Sequence, residues 1–283
     1  MGESQHGLEK VDVKAVFYKK NPKVARLIPG LAFRFLKRII HEREINKILP
    51  KISHLKGLAF IRAGLDLLEI NVKTYGKEFI PRTGRYIFVA NHPLGGLDGL
   101  AFAKEVGDIY PRLKFIVNDI LLNLENLKPI FIPVNKHGKQ STEYVRQIEE
   151  TYRSDYQILN FPAGLCSRKI KGRIVDLEWH KSFINKARTH QRDIIPVHIS
   201  GKNSNIFYNF AKLRVFLGIR NNIEMFLLPH EMFKQKEKDI VITFGKPISY
   251  AELDKRYTPK QWAEIIKEHV YQLGKDQNSS FNP

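Results

Sequence analysis

The chain has 283 residues, 43% of them hydrophobic, which excludes a disordered chain and suffices to bury the core of one large α/β domain or two small ones. A single cysteine, Cys166, excludes an intrachain disulfide and a thiolate zinc cluster and fits a reducing compartment, the cytoplasm being the simplest. A net charge of +18 and a pI near 9.8 demand an anionic partner, and charge alone admits nucleic acid, anionic lipid or an acidic protein.

Residues 1–20 carry Glu3, Glu9 and Asp12 and lack an apolar core segment, so they do not read as a secretory signal. Residues 1–60 hold 13 Lys or Arg against five Asp or Glu, interleaved with bulky apolar residues. From Leu27 to Ile40, Leu31, Phe35 and Ile39 recur at helical spacing among basic residues. The pattern predicts a basic amphipathic helix, either docked on the domain's own core or lying in a membrane interface. Residues 1–75 are expected to form this basic helical, membrane-docking region, with Pro50 and Gly57 as breakers, and residues 76–283 an α/β domain.

Beyond it, apolar runs at Tyr86–Ala90, Leu113–Val117, Ile130–Val134, Gln157–Phe161, Ile194–Ile199 and Ile240–Phe244 alternate with amphipathic segments near Leu97–Val106, Ser141–Tyr152 and Lys181–Thr189. Such alternation predicts βα units and a mostly parallel central sheet flanked by helices. A last helix is expected over Pro259–Leu273, with Thr258 as cap, proline at its first position, Gln261 completing a capping box and Gly274 just past the end; the tail from Lys275 reads as frayed. No stretch of about 18 uncharged apolar residues exists, since the longest, Tyr86–Ala103, contains Asp98.

The strand-like run Tyr86–Ala90 delivers Asn91, His92 and Asp98 onto a glycine-rich turn, Ala90-Asn91-His92-Pro93-Leu94-Gly95-Gly96-Leu97-Asp98-Gly99. The carboxyl end of a buried strand is where open α/β sheets place their chemistry. There His92 could take a proton while Asp98 holds the imidazole; the bland alternative is that both residues merely cap the turn and the following helix.

This block resembles the signature of the lysophospholipid acyltransferase family, Asn-His followed after four residues by Asp. Here five intervene, and the spelling His-Pro-Leu-Gly-Gly-Leu-Asp-Gly is similar to hemolysin-like bacterial members; the adjacent glycines, free to adopt positive φ, could absorb the extra residue. Three further blocks follow in the family's order, so that the resemblance spans about residues 80–250. Ile130-Phe131-Ile132-Pro133-Val134-Asn135-Lys136 is similar to an apolar strand that ends in an acidic or amide residue and an Arg, with Lys136 in the Arg position. Phe161-Pro162-Ala163-Gly164-Leu165-Cys166-Ser167-Arg168-Lys169 resembles Phe-Pro-Glu-Gly-Thr-Arg-Ser, with Ala163, Leu165 and Cys166 replacing Glu, Thr and Arg. Ile194–Ser204 resembles the closing strand, where His198 is expected to be structural, and Ile242–Ile248 the Phe-Gly-Pro ending.

The resemblance implies transfer of a fatty acyl chain from an acyl carrier protein thioester, or a coenzyme A thioester, to a hydroxyl of a lyso-lipid. His92 would be the general base and Asp98 its orienting partner. Asn91, Asn135, Lys136, Phe161, Pro162, Ala163, Gly164, Ser167, Arg168 and Lys169 would form the substrate-binding set, the cations among them receiving anionic parts of donor or acceptor. No metal or redox cofactor is implied, and the protein is expected as a cytoplasmic, peripheral enzyme on the inner face of an anionic membrane. Lysophosphatidic acid is the family's default acceptor, while the altered third block admits a lyso-aminolipid, an N-acylated glycine or ornithine bearing a hydroxyacyl group. Cys166 as an acyl-carrying nucleophile is a minor alternative. A serine hydrolase is disfavoured because no Gly-x-Ser-x-Gly elbow exists, and a nucleotide site because Gly95-Gly96-x-x-Gly99 lacks the required order. No nucleic-acid recognition module is present, so nucleic acid is not expected; an inactive lipid- or polyanion-binding protein is the remaining alternative.

Overall fold

The computed structural model describes residues 10–20, 22, 26, 29–118, 121–122, 124–134, 142–219 and 222–283. The N-terminal part is helical: α1 (Val13–Lys20), α2 (Gly30–Ile39), α3 (Glu42–Ile52) and α4 (Gly57–Leu67). Polar side chains lace the first three together. The Asn46 amide exchanges two hydrogen bonds with the backbone of Val11, and Glu42 accepts from both the Val13 N–H and the Lys37 ammonium. Pro50, expected to break the chain, instead lies in the last turn of α3, which runs on to Ile52.

Strands β1 (Asn71–Tyr75), β2 (Tyr86–Ala90), β3 (Leu113–Asn118), β4 (Phe131–Val134), β5 (Gln157–Asn160), β8 (Asp193–Ile199) and β9 (Asp239–Phe244) form one sheet in the order β1-β9-β8-β2-β5-β3-β4; β6 (Arg168–Ile170) and β7 (Arg173–Val175) form a separate antiparallel hairpin. All pairings in the large sheet are parallel except β8 with β9. The expected α/β architecture is therefore present. β1 was not foreseen: Asn-Val-Lys-Thr-Tyr is too polar to read as a buried run, yet it pairs along its whole length with β9 and carries the main sheet into the region expected to be purely helical.

β2 is buried at every position because it lies between β8 and β5 with layers on both faces. Its alternate residues serve different cores. Phe88 and Ala90 pack with Ile61 and Leu65 of α4 and with Leu97, Phe102 and Val106 of α5 (Gly96–Gly107), whereas Ile87 and Val89 pack with Trp179, Phe183 and Trp262. The second layer includes α7 (Ser182–His190) and α10 (Pro259–Leu273), while α6 (Thr142–Arg153) precedes β5. In α10 the capping box forms, Thr258 Oγ1 accepting from the Gln261 N–H and Gln261 Oε1 from the Thr258 N–H. The tail is less frayed than its composition suggests, since the Phe281 ring stands against Trp262 and His269.

Candidate active site

Two neighbouring strands hold the site open at their carboxyl ends. At the tip of β2 the buried Asn91 amide donates to the Ile199 carbonyl at 2.9 Å and accepts from the Ile199 N–H at 2.7 Å, continuing the β2–β8 register where the backbones part. The next residue, His92, is pinned through its backbone: its N–H donates to Asp176 Oδ1 and its carbonyl accepts from the Ser167 N–H at 2.7 Å. The turn then reverses at Gly95, whose φ of +86° requires glycine, a requirement reinforced by Leu228 Cδ2 at 2.8 Å from where a Cβ would stand. Gly96 already opens α5 and is not in the positive-φ region, so one glycine rather than the expected pair makes the turn.

The reversal brings Asp98, fully buried in the first turn of α5, against the imidazole, with both carboxylate oxygens 3.1 Å from His92 Nδ1. The same carboxylate accepts from the Leu94 N–H at 2.7 Å and the Gly95 N–H at 3.3 Å. Capping and orientation, posed as alternatives by the sequence, are one arrangement. A carboxylate at Nδ1 makes that nitrogen the donor and Nε2 the acceptor of the neutral ring, and the Cys166 side chain also hydrogen-bonds the imidazole. The Phe161 ring lies parallel to the imidazole with centroids 4.0 Å apart and is itself braced by Phe115 and Phe102. Burial works against a charged imidazole, but the negative field of Asp98, with Cys166 adding to it, overrides that effect and raises the His92 pKa well above the ordinary histidine value.

A second carboxylate organises the back of the site. Asp176 accepts from Ser167 Oγ at 2.6 Å, from Trp179 Nε1 at 2.9 Å and from the His92 N–H at 3.2 Å, while its own N–H donates to the Tyr271 hydroxyl. Burial raises its pKa despite these donors. In the sequence Asp176 stands out only as the acid that ends a basic run, and no local pattern connects it with a histidine 84 positions away. Beside this network is a cavity of about 300 Å³ lined by Asn91, Pro93, Ser167, Ser200, Tyr271 and Lys275.

The third block is brought to His92, though several of its residues face inward. Pro162 offers its carbonyl to the His180 N–H, Ala163 is buried in the second core layer and Gly164, at φ +63°, closes a turn onto the Phe161 carbonyl. Arg168, expected as a substrate cation, is committed elsewhere: its guanidinium meets the buried Glu224 at 2.7 Å and the Cys166 carbonyl at 2.7 Å, and Glu224 is held from its other side by Arg214 at 2.8 Å. A carboxylate this deeply buried needs such partners, which explains the engagement of Arg168. Lys169 reaches Asn205 Oδ1 at 3.1 Å, and His198, partly buried, is pushed down to about 4 by burial, as befits a neutral structural histidine. Asn135 and Lys136 lie outside the described residues.

The family model described as Acyltransferase matches residues 15–280. The chain belongs to this acyltransferase family. It is 44% identical to a lyso-glycine lipid O-acyltransferase of Bacteroides thetaiotaomicron over 93% of this chain and 97% of that protein, and 41% identical to one of Phocaeicola vulgatus over 93% and 95%. The crystal structure of the 1-acyl-sn-glycerophosphate (LPA) acyltransferase PlsC from Thermotoga maritima shares the fold at a TM-score of 0.50 and 16% identity, covering 95% of this chain and 97% of that one.

In this acyltransferase no cluster of three or more His, Cys, Asp or Glu able to hold a metal ion occurs among the described residues, and none of their helices is long and apolar enough to cross a membrane. Besides Asp176, sequence reasoning missed Glu224 and Tyr271. Both act through the third dimension, Glu224 from a 3₁₀ turn and Tyr271 from α10, and neither lies in a motif.

Proposed function

We propose that the protein transfers a fatty acyl chain from an acyl carrier protein thioester, or less favourably a coenzyme A thioester, to the hydroxyl of a lyso-aminolipid with a glycine head group. The observation that carries this reading is the contact between Asp98 and His92 Nδ1. With Nδ1 held as donor, Nε2 takes the proton of the acceptor hydroxyl as its oxygen forms the new bond to the thioester carbonyl carbon. The tetrahedral adduct then expels the thiol, breaking the C–S bond, and the imidazolium returns its proton to the leaving sulfur. Asp98 stabilises the imidazolium between the two steps. The thioester supplies the driving force, so the reading needs no metal or redox cofactor.

The glycine head group is supported by the names of the two relatives and by the absence from the third block of the Glu and Arg of the family's Phe-Pro-Glu-Gly-Thr-Arg-Ser segment. Lys169 and Lys136 are the cations proposed for anionic parts of donor or acceptor, and Arg168 is withdrawn from that role by Glu224. The enzyme would work as a peripheral protein on the inner face of the cytoplasmic membrane, with the helices before residue 53 as one docking region. Leu31 and Phe35, the first two residues of the amphipathic stripe, face outward from α2, whereas Phe33 faces the protein. Purified protein given labelled acyl carrier thioester and a panel of lyso-lipids should acylate lyso-glycine lipid fastest. His92→Ala should lower that rate by roughly 10²–10⁴-fold while the fold is retained. Preference for lysophosphatidic acid would overturn the acceptor assignment, and an active His92→Ala protein the mechanism.

A further inference from the structure

The helix that follows β8, α8 (Asn205–Phe216), is apolar on two sides at once. One side packs inward: Phe207 and Tyr208 close over Cys166, and Ala211 is buried next to them. The other side carries Ile206, Phe210, Leu213 and Leu217, spaced four, three and four residues apart and so aligned along one face, and all four are exposed, Ile206 at 63%, Leu213 at 51% and Leu217 at 59%. Phe216 beside them is 86% exposed. A surface helix ordinarily turns polar residues to water, and one that is hydrophobic all round belongs in an apolar surrounding. A contiguous exposed patch of this kind marks an interaction surface.

The charge around the patch says what that surface meets. From Gly201 to Asn222 the sequence holds no Asp or Glu, while Lys202 and Lys212 stand exposed. The tip of the β6–β7 hairpin, with exposed Ile170, Lys171 and Arg173, is tied to the start of α8 through Lys169 and Asn205. The carboxylates beside it are paired: Glu224 with Arg168 and Arg214, Glu231 with Lys234 and hydrogen-bonded by Ser204, and, on the far side of the hairpin where they share a cavity with Ile170, Glu178 with Lys260 and Glu264 with Lys267. Bulky apolar side chains beside a basic rim whose carboxylates are paired are the pattern that anionic lipid surfaces attract.

We propose that α8 and the β6–β7 hairpin form a membrane-docking face distinct from the N-terminal helices, its occupant a bilayer containing anionic phospholipid, into which Ile206, Leu213, Phe216 and Leu217 insert while Lys171, Arg173 and Lys212 meet the head groups. The face adjoins the catalytic loop: Asn203, two residues before α8, donates to the Pro93 carbonyl beside His92, and Phe207 packs on Cys166 of the third block. Docking here would bring the mouth of the site to a lipid-borne acceptor, a step that rests on the acyl-transfer reading above.

The test uses the full-length protein and vesicles of zwitterionic phospholipid with and without phosphatidylglycerol. The double variant Leu213→Glu/Phe216→Glu should fold as the wild type by circular dichroism and thermal melting but partition into anionic vesicles more weakly by roughly tenfold or more, since two large apolar side chains leave the interface. Both native tryptophans, Trp179 and Trp262, are buried, so a Phe216→Trp protein reports on its own position, and its added fluorescence should be quenched by brominated lipid. Acylation of a short-chain, water-soluble acceptor should be unaffected in the double variant, whereas acylation of the vesicle-embedded acceptor should fall. Vesicle binding equal to wild type, an unquenched Phe216→Trp protein, or a wild-type dimer that the double variant dissociates would overturn the proposal. Lack of acyl transfer by a wild-type protein that still binds vesicles through α8 would overturn the functional reading and leave the docking face standing.

Discussion

Asp98 answers two demands with one carboxylate, accepting from the turn's N–H groups and holding the imidazole, so Asp98→Asn would disturb the turn as well as the proton acceptor. The pH dependence separates the two roles. Because Asp98 and Cys166, through their negative field and their hydrogen bonds, together raise the His92 pKa against the opposing effect of burial, the free enzyme carries an imidazolium at the ordinary histidine pKa near 6.5, and in the proposed mechanism only the neutral ring acts as base. The rising limb of kcat/KM is therefore expected well above that value in the wild type and displaced toward lower pH in Asp98→Asn, together with a lower plateau. A rising limb at the ordinary histidine value in both proteins would contradict the coupling. The same raised pKa makes the imidazolium–carboxylate pair a contribution to folding stability that is complete below about 6.5 and lost as pH rises through the folded value. The histidine and aspartate were legible in the sequence because they flank a turn after an apolar run. Asp176, which fixes the His92 backbone from 84 residues away, was not, since hydrogen bonds across that distance leave no periodic trace.

At the level of elements, the third block is a loop braced from outside. Glu224, fully buried, bridges Arg168 of β6 and Arg214 of α8, joining hairpin to helix. Replacing it by glutamine keeps the shape but leaves two largely buried guanidinium groups without their counter-charge. Glu224→Gln is expected to destabilise the protein by about 3 kcal/mol in urea unfolding, and a loss below about 0.5 kcal/mol would show that solvent takes over the role of the carboxylate. The basic run from Arg168 to Arg173 is thus divided: Arg168 neutralises an internal acid, and Lys169, Lys171 and Arg173 remain toward the surface. Composition could not make this division, because the partner acid lies 56 residues further on. The elements themselves were readable wherever burial was uniform. Helix α10 was anticipated from its capping residues, and the sheet strands after β1 from their apolar runs. β1, an edge strand with alternating exposure, and the short β6–β7 hairpin escaped.

Across the whole molecule, the N-terminal helices are joined to the body by a pair of histidines. His41, in left-handed conformation between α2 and α3, meets His230 of α9 (Leu228–Phe233) at 2.8 Å and stacks on Phe233. One ring must donate and the other accept, so the contact requires at least one neutral histidine. Burial lowers the His230 pKa, helped by Lys234 and by His41, against an opposing pull from Glu231, while Glu44 stands 3.7 Å from His41. A base depressed in the folded state contributes stability that is present above its unfolded value near 6.5 and lost as pH falls through the folded value. Hydrogen exchange of residues 30–52 is expected to accelerate over that interval in the wild type and to lose its pH step in His230→Phe. Equal acceleration in both would place the sensitivity elsewhere.

The phenyl ring of Phe161 lying flat on the imidazole has a consequence for which alcohols can react. With one flat side screened and the Nδ1 edge taken by a carboxylate, the proposed mechanism leaves an incoming oxygen the Nε2 edge and requires it to arrive close to the ring plane. A slim chain bearing an unhindered hydroxyl meets that demand, while bulk beside the reacting oxygen collides with the aromatic wall. In that mechanism, shape would decide what is acylated as much as electrical sign.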